Sequence, residues 1–474
     1  MRGLLPITRR RLLGSMSALA GTAVLSKAHG VHAAKGPASS PSRVAGRWCI
    51  RNATLLTMDP AHGTLREADI LVDSGEIKAV GHQLEAGDAE IIDGRHQIVM
   101  PGLVDTHNHM WQTQMRGMFG QTEQTLFFPV TQRLSDHFRP EDIWVGEYLA
   151  AMENVRAGVT TSNDFFDCNR SPNHAAAALE ALAHSPLRAR LLYGAQSKTT
   201  EKMTDIEHLA ELHDDWQNHG AGGRLSLGLA WRLPPDLENR EAMALKRREY
   251  ETAREMELPI SVHVSGDGHH EMFQKLIDEG FLYPGLQVVH ATDARDEHMQ
   301  ALNDAGASLS LTPVTEHRVS YGLTRLSHFA PVRRQGLGID GNALAGRGDM
   351  FGVMRTAALT ELGASGDQTS VDCMHLLSLA TSAAAESIGM GDIIGSLTPG
   401  KRADVIMIDT RQLDLGMVPQ EPAAMLIFAA SAASVSLVAV DGRITKRDGQ
   451  MLDLDDTLYE RTRSSIDYLN RFLD

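Results

Sequence analysis

Only three cysteines occur in 474 residues, and Cys49, Cys168 and Cys373 stand too far apart to make a CxxC pair. That excludes a disulfide framework. Past the N-terminal leader there is also no run of the ~18 uninterrupted apolar residues that a membrane helix needs, so no membrane span is expected. Positive charge is scarce. The formal net charge is −15, and setting aside Arg2, Arg9, Arg10, Arg11 and Lys27, the five basic residues among 1–33, takes it to −20. A chain that acidic repels nucleic-acid phosphates, and nucleic-acid binding is set aside. What remains is material for a large core: 42% hydrophobic and 22% charged residues. That composition excludes global disorder, and the length suits one large domain with a lesser one.

The N-terminus reads as an address. "TRRRLLGS" is followed by "MSALAGTAVLS" and then "VHAA". A basic start, a modest apolar stretch and small residues at the end make an export signal over residues 1–33. Arg9, Arg10 and Arg11 before two leucines resemble a twin-arginine signal, a route taken by folded chains. The export machinery is then an expected partner, the mature chain begins near Ala34, and its location is periplasmic. Residues 34–45, with "KGPASSPSR", read as a linker.

Short strand-like runs with turn residues between them, "WCIRNATLLTMD" and "ADILVDSGEIKAVG", occupy residues 46–100. "PGKRADVIMID" and "SVSLVAVDGRITKRDG", within 394–450, have the same character. The simplest packing joins both chain ends into one small β-sandwich domain, with a helical tail over 451–474. Between them, over 101–393, strand-like and helix-like runs alternate eight times. The strands are "IVMPGLVDTH", "GVTTSNDFF", "RARLLYGA", "RLSLGLAW", "LPISVHVSG", "LQVVHAT", "ASLSLTPV" and "GLGID". They are rich in Val, Leu and Ile, as strands buried on both faces are. The fold class is α/β, and eight such units fit a (β/α)₈ TIM-type barrel. A doubly wound sheet is the alternative, but it leaves the following pattern unexplained.

In such a barrel the reactive groups stand at the C-terminal ends of the strands. Strand one ends in His107 and His109, which share one face because side chains alternate along a strand. Strand five carries His263, strand six ends in His290 and strand eight ends in Asp340. Taken singly, each of these is more often a core histidine or a capping aspartate. Together on one rim they suit a metal ion.

These residues carry a family resemblance. "MPGLVDTHNH", "GVTT" and "IGSLTPGKRADVIMID" resemble the first strand, the second strand and the return to the β domain in the amidohydrolase superfamily. Over residues 46 to about 450 the chain is most similar to its aminohydrolase and chlorohydrolase branch, which acts on adenosine derivatives, guanine and triazines. The resemblance implies one divalent metal ion, zinc first and iron(II) as the alternative. His107, His109, His263 and Asp340 would hold it, and His290 would contact the bound water or the substrate. Such an ion lowers the pKa of bound water from 15.7 towards ~7. Asp340 would accept the water's proton and His290 would stabilise developing charge. The expected activity is hydrolysis of a C–N bond, by deamination or amide-type cleavage, in a small cyclic molecule. Cleavage of a carbamate, urea or C–halogen bond is the alternative, as is a binding relative that has lost turnover. No lysine lies on strand four, and Lys198 lies beyond strand three, so the carbamylated lysine of two-metal branches is not expected.

One departure stands out. Deaminases of this branch carry a glutamate three residues after the fifth-strand histidine, and here that position is Gly266. Glycine transfers no proton. Asp267 is adjacent but differently directed, Glu271 falls in the next helix, and Glu316, after strand seven, is the candidate replacement acid. The bland reading of Glu316 and His317 is a solvated loop. Trp111 and Gln114, in the segment after the first ligands, and Trp231 and Arg232, at the end of strand four, are the candidate substrate contacts. Arg116 is expected to support its loop, and Cys168 to be a small buried thiol. A homo-oligomer is left open.

Overall fold

The computed structural model describes residues 46–195, 203–264, 270–416 and 420–473. The expected leader and linker, the start near Ala34, Lys198, Gly266 and Asp267 lie outside the described residues.

Five strands precede the barrel: β1 (Trp48–Leu56), β2 (Thr64–Asp73), β3 (Glu76–Gly81), β4 (Glu90–Asp93) and β5 (Gln97–Pro101). Eight more follow: β6 (Leu103–Asn108), β7 (Val159–Phe166), β8 (Arg188–Tyr193), β9 (Leu225–Trp231), β10 (Ile260–Val264), β11 (Leu286–His290), β12 (Ser308–Leu311) and β13 (Gln335–Leu337). The last four are β14 (Val405–Asp409), β15 (Val435–Val440), β16 (Arg443–Arg447) and β17 (Gln450–Met451).

The first and last groups form one mixed nine-stranded sheet in which β5 lies between β1 and β14. β5 runs parallel to β1 and antiparallel to β14, with Gln97 opposite Asp409 and Pro101 opposite Val405. The sheet curls on itself. Ile70 and Ile77, near one end of the strand order, share an apolar cluster with Leu437 and Ala439, near the other. Two turns meet there. A Cβ on Gly442, at φ +73°, would stand 2.6 Å from the Cα of Gly75, so no larger residue fits. The Trp48 indole closes the same seam, donating to the carbonyl of Gly442 at 2.9 Å.

The middle group forms an eight-stranded parallel sheet in chain order from β6 to β13. All residues of β6, β7 and β8 are buried, the pattern of strands covered on both faces. The edge strands close the barrel through intermediaries. At the lower end residues 379–380 lie between them: Leu337 N–H donates to Leu379 at 2.8 Å, and Val104 N–H to Ala380 at 2.9 Å. At the upper end the segment after β13 takes over. Asp340 N–H donates to the His107 carbonyl at 2.8 Å, and His109 N–H to the Asp340 carbonyl at 2.9 Å.

The run "IVMPGLVDTH", read above as one strand, is divided. β5 belongs to the mixed sheet and β6 to the barrel. The chain changes sheets at Gly102, where an added Cβ would lie 2.0 Å from Thr160 Oγ1. The expected C-terminal tail includes a helix, Leu458–Leu469, laid against the helix Pro140–Arg156, with the Arg461 guanidinium 3.3 Å above the Trp144 ring.

Gly102→Ala is expected to destabilise the protein by about 1–3 kcal/mol through overpacking. Thr160→Ala removes the two nearest clashing atoms, Oγ1 and Cγ2, and leaves Cβ at 2.6 Å, so the double variant should recover part of the loss. Denaturant unfolding of all four proteins measures the coupling, and equal losses in the Gly102→Ala protein with and without Thr160→Ala would contradict the account.

Candidate metal centre and its cavity

Strand parity places His107 and His109 on one face, and the backbone bonds to Asp340 bring the end of the eighth barrel unit beside them. Asn108, on the opposite face, donates to Asp105 at 2.7 Å and to Asn342 at 3.1 Å. Asp105 is the tie between strands. It accepts from Ile339 N–H at 2.8 Å, from Asn108 and from the Ser162 hydroxyl at 3.2 Å. Burial pushes its pKa up to about 7 against those hydrogen bonds.

The strand ends carry backbone strain. His290, Ala291 and Asp340 have φ of 70°, 52° and 67°. Non-glycine residues in this region cost about 1–3 kcal/mol each and cluster at functional sites. For Asp340 the two backbone bonds to β6 and its end hold that conformation.

His107, His109, His263 and Asp340 are all buried, and each offers one ligand atom such that all four lie within 4.8 Å of one another. His109 Nε2 is 3.2 Å from His263 Nε2, and Asp340 Oδ1 is 3.2 Å from His107 Nε2 and 3.6 Å from His109 Nε2. Ligands ~2.0–2.1 Å from a tetrahedral ion are separated by about 3.3 Å, so the set matches a zinc-type site. The donor chemistry fits as well. Among the described residues, Nδ1 of His107 and Nδ1 of His263 are buried without a hydrogen-bond partner, and His107 Nε2 is directed at the Asp340 carboxylate. Burial pushes His107 down to about 3 and His263 well below its ordinary value, which keeps both imidazoles neutral with lone pairs free. Burial disfavours the Asp340 carboxylate, but the neighbouring histidines hold its pKa well below the usual range.

His109 has its own support. Its Nδ1 lies 3.0 Å from Asp167 Oδ1, which directs Nε2 at the cluster. Asp167 also accepts from the Trp111 indole at 2.8 Å and from Arg232 at 2.6 Å. Burial opposes its charge, and His109 and Arg232 outweigh that, so Asp167 is a carboxylate.

A cavity of about 410 Å³ opens over the cluster. His109, His263 and Asp340 stand in its wall together with His290, Trp111 and Arg232, three of the five expected substrate contacts. The other two point elsewhere. Trp231 is fully buried, donates to the Lys246 carbonyl at 3.1 Å and packs on Tyr250 and Phe281. Alternation explains the correction: the residue after it, Arg232, takes the inward side. Gln114 donates to the Asp142 carbonyl at 2.9 Å, away from the cavity, while Gln112 lines it.

Glu316 is placed behind the cavity, in the short helix Pro313–Arg318, with no exposure to solvent. Its Oε1 accepts from Thr312 N–H at 2.8 Å and lies 3.1 Å from His290 Nδ1. Its Oε2 accepts from the Thr324 hydroxyl. Neither oxygen faces the cavity, and the solvated-loop reading of this residue is corrected too. His317 accepts from Thr324 N–H at 3.1 Å. Arg116 pairs with Glu153 at 2.5 Å, the loop support expected of it. Cys168 is buried against the Ser135 carbonyl, and burial raises its pKa.

The sequence reading passed over Asp167, Gln112, Phe127, Phe128 and Tyr321. Asp167 carried a usable signal, an aspartate just past the end of strand two. The aromatic wall carried none. Phe128 stacks on Tyr321 at 6.3 Å, a pairing between distant segments.

The amidohydrolase family profile matches residues 98–445. The chain is 27% identical over 433 residues to the 5'-deoxyadenosine deaminase of Methanosarcina mazei, covering 86% of this chain and 94% of that protein. It is 26% identical over 436 residues to the 5-methylthioadenosine/S-adenosylhomocysteine deaminase of Syntrophomonas wolfei, covering 86% and 96%. Among solved structures, the zinc-bound adenosine deaminase of Xanthomonas campestris superposes with a TM-score of 0.76 at 23% identity, covering 90% of this chain and 99% of that one. The zinc complex of atrazine chlorohydrolase from Arthrobacter aurescens does so at 0.77 and 23%, covering 88% and 99%.

Elemental analysis is expected to find one divalent ion per chain, and two would refute the four-ligand reading. Asp167→Asn should weaken metal binding about 10–100-fold, the usual effect of losing a group that orients a ligand histidine. Chelator competition measures it.

Proposed function

The chain belongs to the amidohydrolase family and is a metal-dependent hydrolase of carbon–nitrogen bonds in small molecules, and on that premise we propose that it releases ammonia or an amine from a flat, electron-poor ring. The supporting observation is the joint placement of the His107, His109, His263 and Asp340 donors with a cavity walled by Trp111, Phe127, Phe128 and Tyr321. A planar heterocycle stacks on such walls. Zinc is the metal we propose, since three imidazoles and one carboxylate suit its coordination. When bound, it supplies a water nucleophile at neutral pH and polarises the attacked centre.

The side chains then have distinct work. Asp340, held as a carboxylate beside the histidines, is placed to receive a proton from the nucleophile. His290, turned by its left-handed backbone and fixed through Nδ1 by Glu316 and Thr312, directs its other nitrogen away from those partners to steady developing charge. Glu316 thus acts through His290 rather than on the substrate. Arg232 and Asp167 form a charged pair in the cavity wall, placed to orient the polar edge of a ring. The second reading, hydrolysis of an activated amide, carbamate or urea, is favoured by Gly266, because a leaving group needing little protonation dispenses with the missing glutamate.

We further propose export through the twin-arginine route, supported by Arg9–Arg11 ahead of Leu12 and Leu13. Replacing the three arginines by lysine should hold the protein in the cytoplasm. Unchanged levels in the periplasmic fraction would end that reading.

Incubating the zinc-loaded protein with amino-substituted purines, pyrimidines and triazines should release ammonia or amine. Turnover confined to amides, carbamates or ureas would transfer the conclusion to the second reading. With the substrate found, Glu316→Gln should lower kcat by about tenfold with KM and metal content nearly unchanged, as expected for lost positioning of a general acid–base or charge-stabilising group. Metal loss in that variant would contradict its placement behind His290.

A further inference from the structure

The barrel has a second cavity at its other pole. About 440 Å³ in volume, it is lined by residues at the N-terminal ends of the strands, including Ile260, Gly285 and Ser308, and by Arg190 from β8. Arg190 is only 8% exposed. One guanidinium nitrogen donates to the Ile388 carbonyl at 2.8 Å, while Nε is buried with no partner among the described residues. Burial lowers its pKa to about 10, and among the described residues no carboxylate counters its charge. An arginine in that condition is costly, because a buried cation without an anion loses its hydration and gains nothing in return.

The cavity supplies further groups suited to a counter-ion. Arg254 stands at its rim, braced 3.8 Å above the Tyr283 ring. Asn163 lines the inner end, and its Oδ1 is buried without a partner among the described residues, an acceptor for a protonated oxygen. Among the described residues, Glu257 is the one carboxylate in the lining, and it is itself exposed. Above the cavity a polar layer separates it from the metal centre. Gln287 Oε1 accepts from Ser261 at 2.9 Å and from Asn163 at 3.1 Å, and its Nε2 donates to the Thr106 carbonyl at 3.1 Å.

We propose that this lower cavity is a binding site for a small oxyanion of the phosphate class, gripped by Arg190 and closed over by Arg254. A guanidinium presents parallel N–H groups that match two oxygens of such an ion. The site is separate from the metal centre and independent of the reaction assigned to it.

Calorimetric titration of inorganic phosphate into the zinc-loaded protein at constant ionic strength tests it. One saturable event is expected, at least about tenfold weaker in Arg190→Met, since a hydrogen bond to a charged group is typically worth 1.5–3 kcal/mol. Phosphate bound at the metal would ignore that change. Arg254→Ala, on the surface, keeps the test decisive if the first variant fails to fold, and it should weaken binding a few-fold. Glycerol phosphate as a second titrant separates the sources: equal or tighter binding assigns a phosphomonoester, and no binding assigns the free ion. Absence of saturable phosphate binding, or an affinity unchanged in Arg254→Ala and in folded Arg190→Met, overturns the proposal.

Discussion

At the upper end of the barrel, closure and ligand placement are the same set of hydrogen bonds. The eighth strand, Gln335–Leu337, is too short to pair along the length of its neighbour. Closure beside the centre therefore falls to Asp340, whose backbone exchanges two bonds with His107 and His109, and to Asp105, which takes the N–H of Ile339. Those contacts force Asp340 into a left-handed backbone and deliver its carboxylate to the two histidines. Damage to the closure is then damage to the centre. The strain in the backbone is offset by bonds that a closed barrel needs in any case.

From this tie outward runs a chain of buried polar side chains. Asp105, Asn108, Asn154, Ser162 and Asn342 are joined by side-chain hydrogen bonds beneath the centre. These bonds tie together the strands that carry the ligands, although Asn108 Oδ1 is buried without a partner among the described residues. His109 receives the same treatment from Asp167, and His290 from Glu316 and Thr312. Each reactive imidazole thus has one nitrogen committed to the protein, or is kept neutral by burial, and none depends on solvent for its orientation.

What could be seen in the sequence follows from how locally each property is set. His107, His109, His263, His290 and Asp340 stand at or just beyond strand ends, and strand position is written in short apolar runs. The branch of the family was legible for the same reason, in contiguous motifs around Pro101 and Asp105 and around Pro399 and Asp404. Parity at a strand end was not: Trp231 and Arg232 were both assigned inward, though adjacent residues face opposite sides. Glu316 was missed as a support because its burial depends on Thr312 and Thr324 folding around it. The cavity's aromatic wall depends on a helix, Phe127–Ser135, whose location is decided by packing between segments far apart in the chain. The split at Gly102 was hidden because both halves of the run are equally apolar.

The path of the chain through the mixed sheet also sets a timetable for synthesis. β5 ends at Pro101, and its partner β14 begins at Val405. At ~5–20 residues per second the ribosome needs roughly 15–60 s to produce the partner, during which β5 has an open edge. Open strand edges recruit other strands. Nascent chains of this protein must therefore be shielded until the last part of translation, and a C-terminal truncation that removes β14 should be more harmful to solubility than its small share of the length suggests.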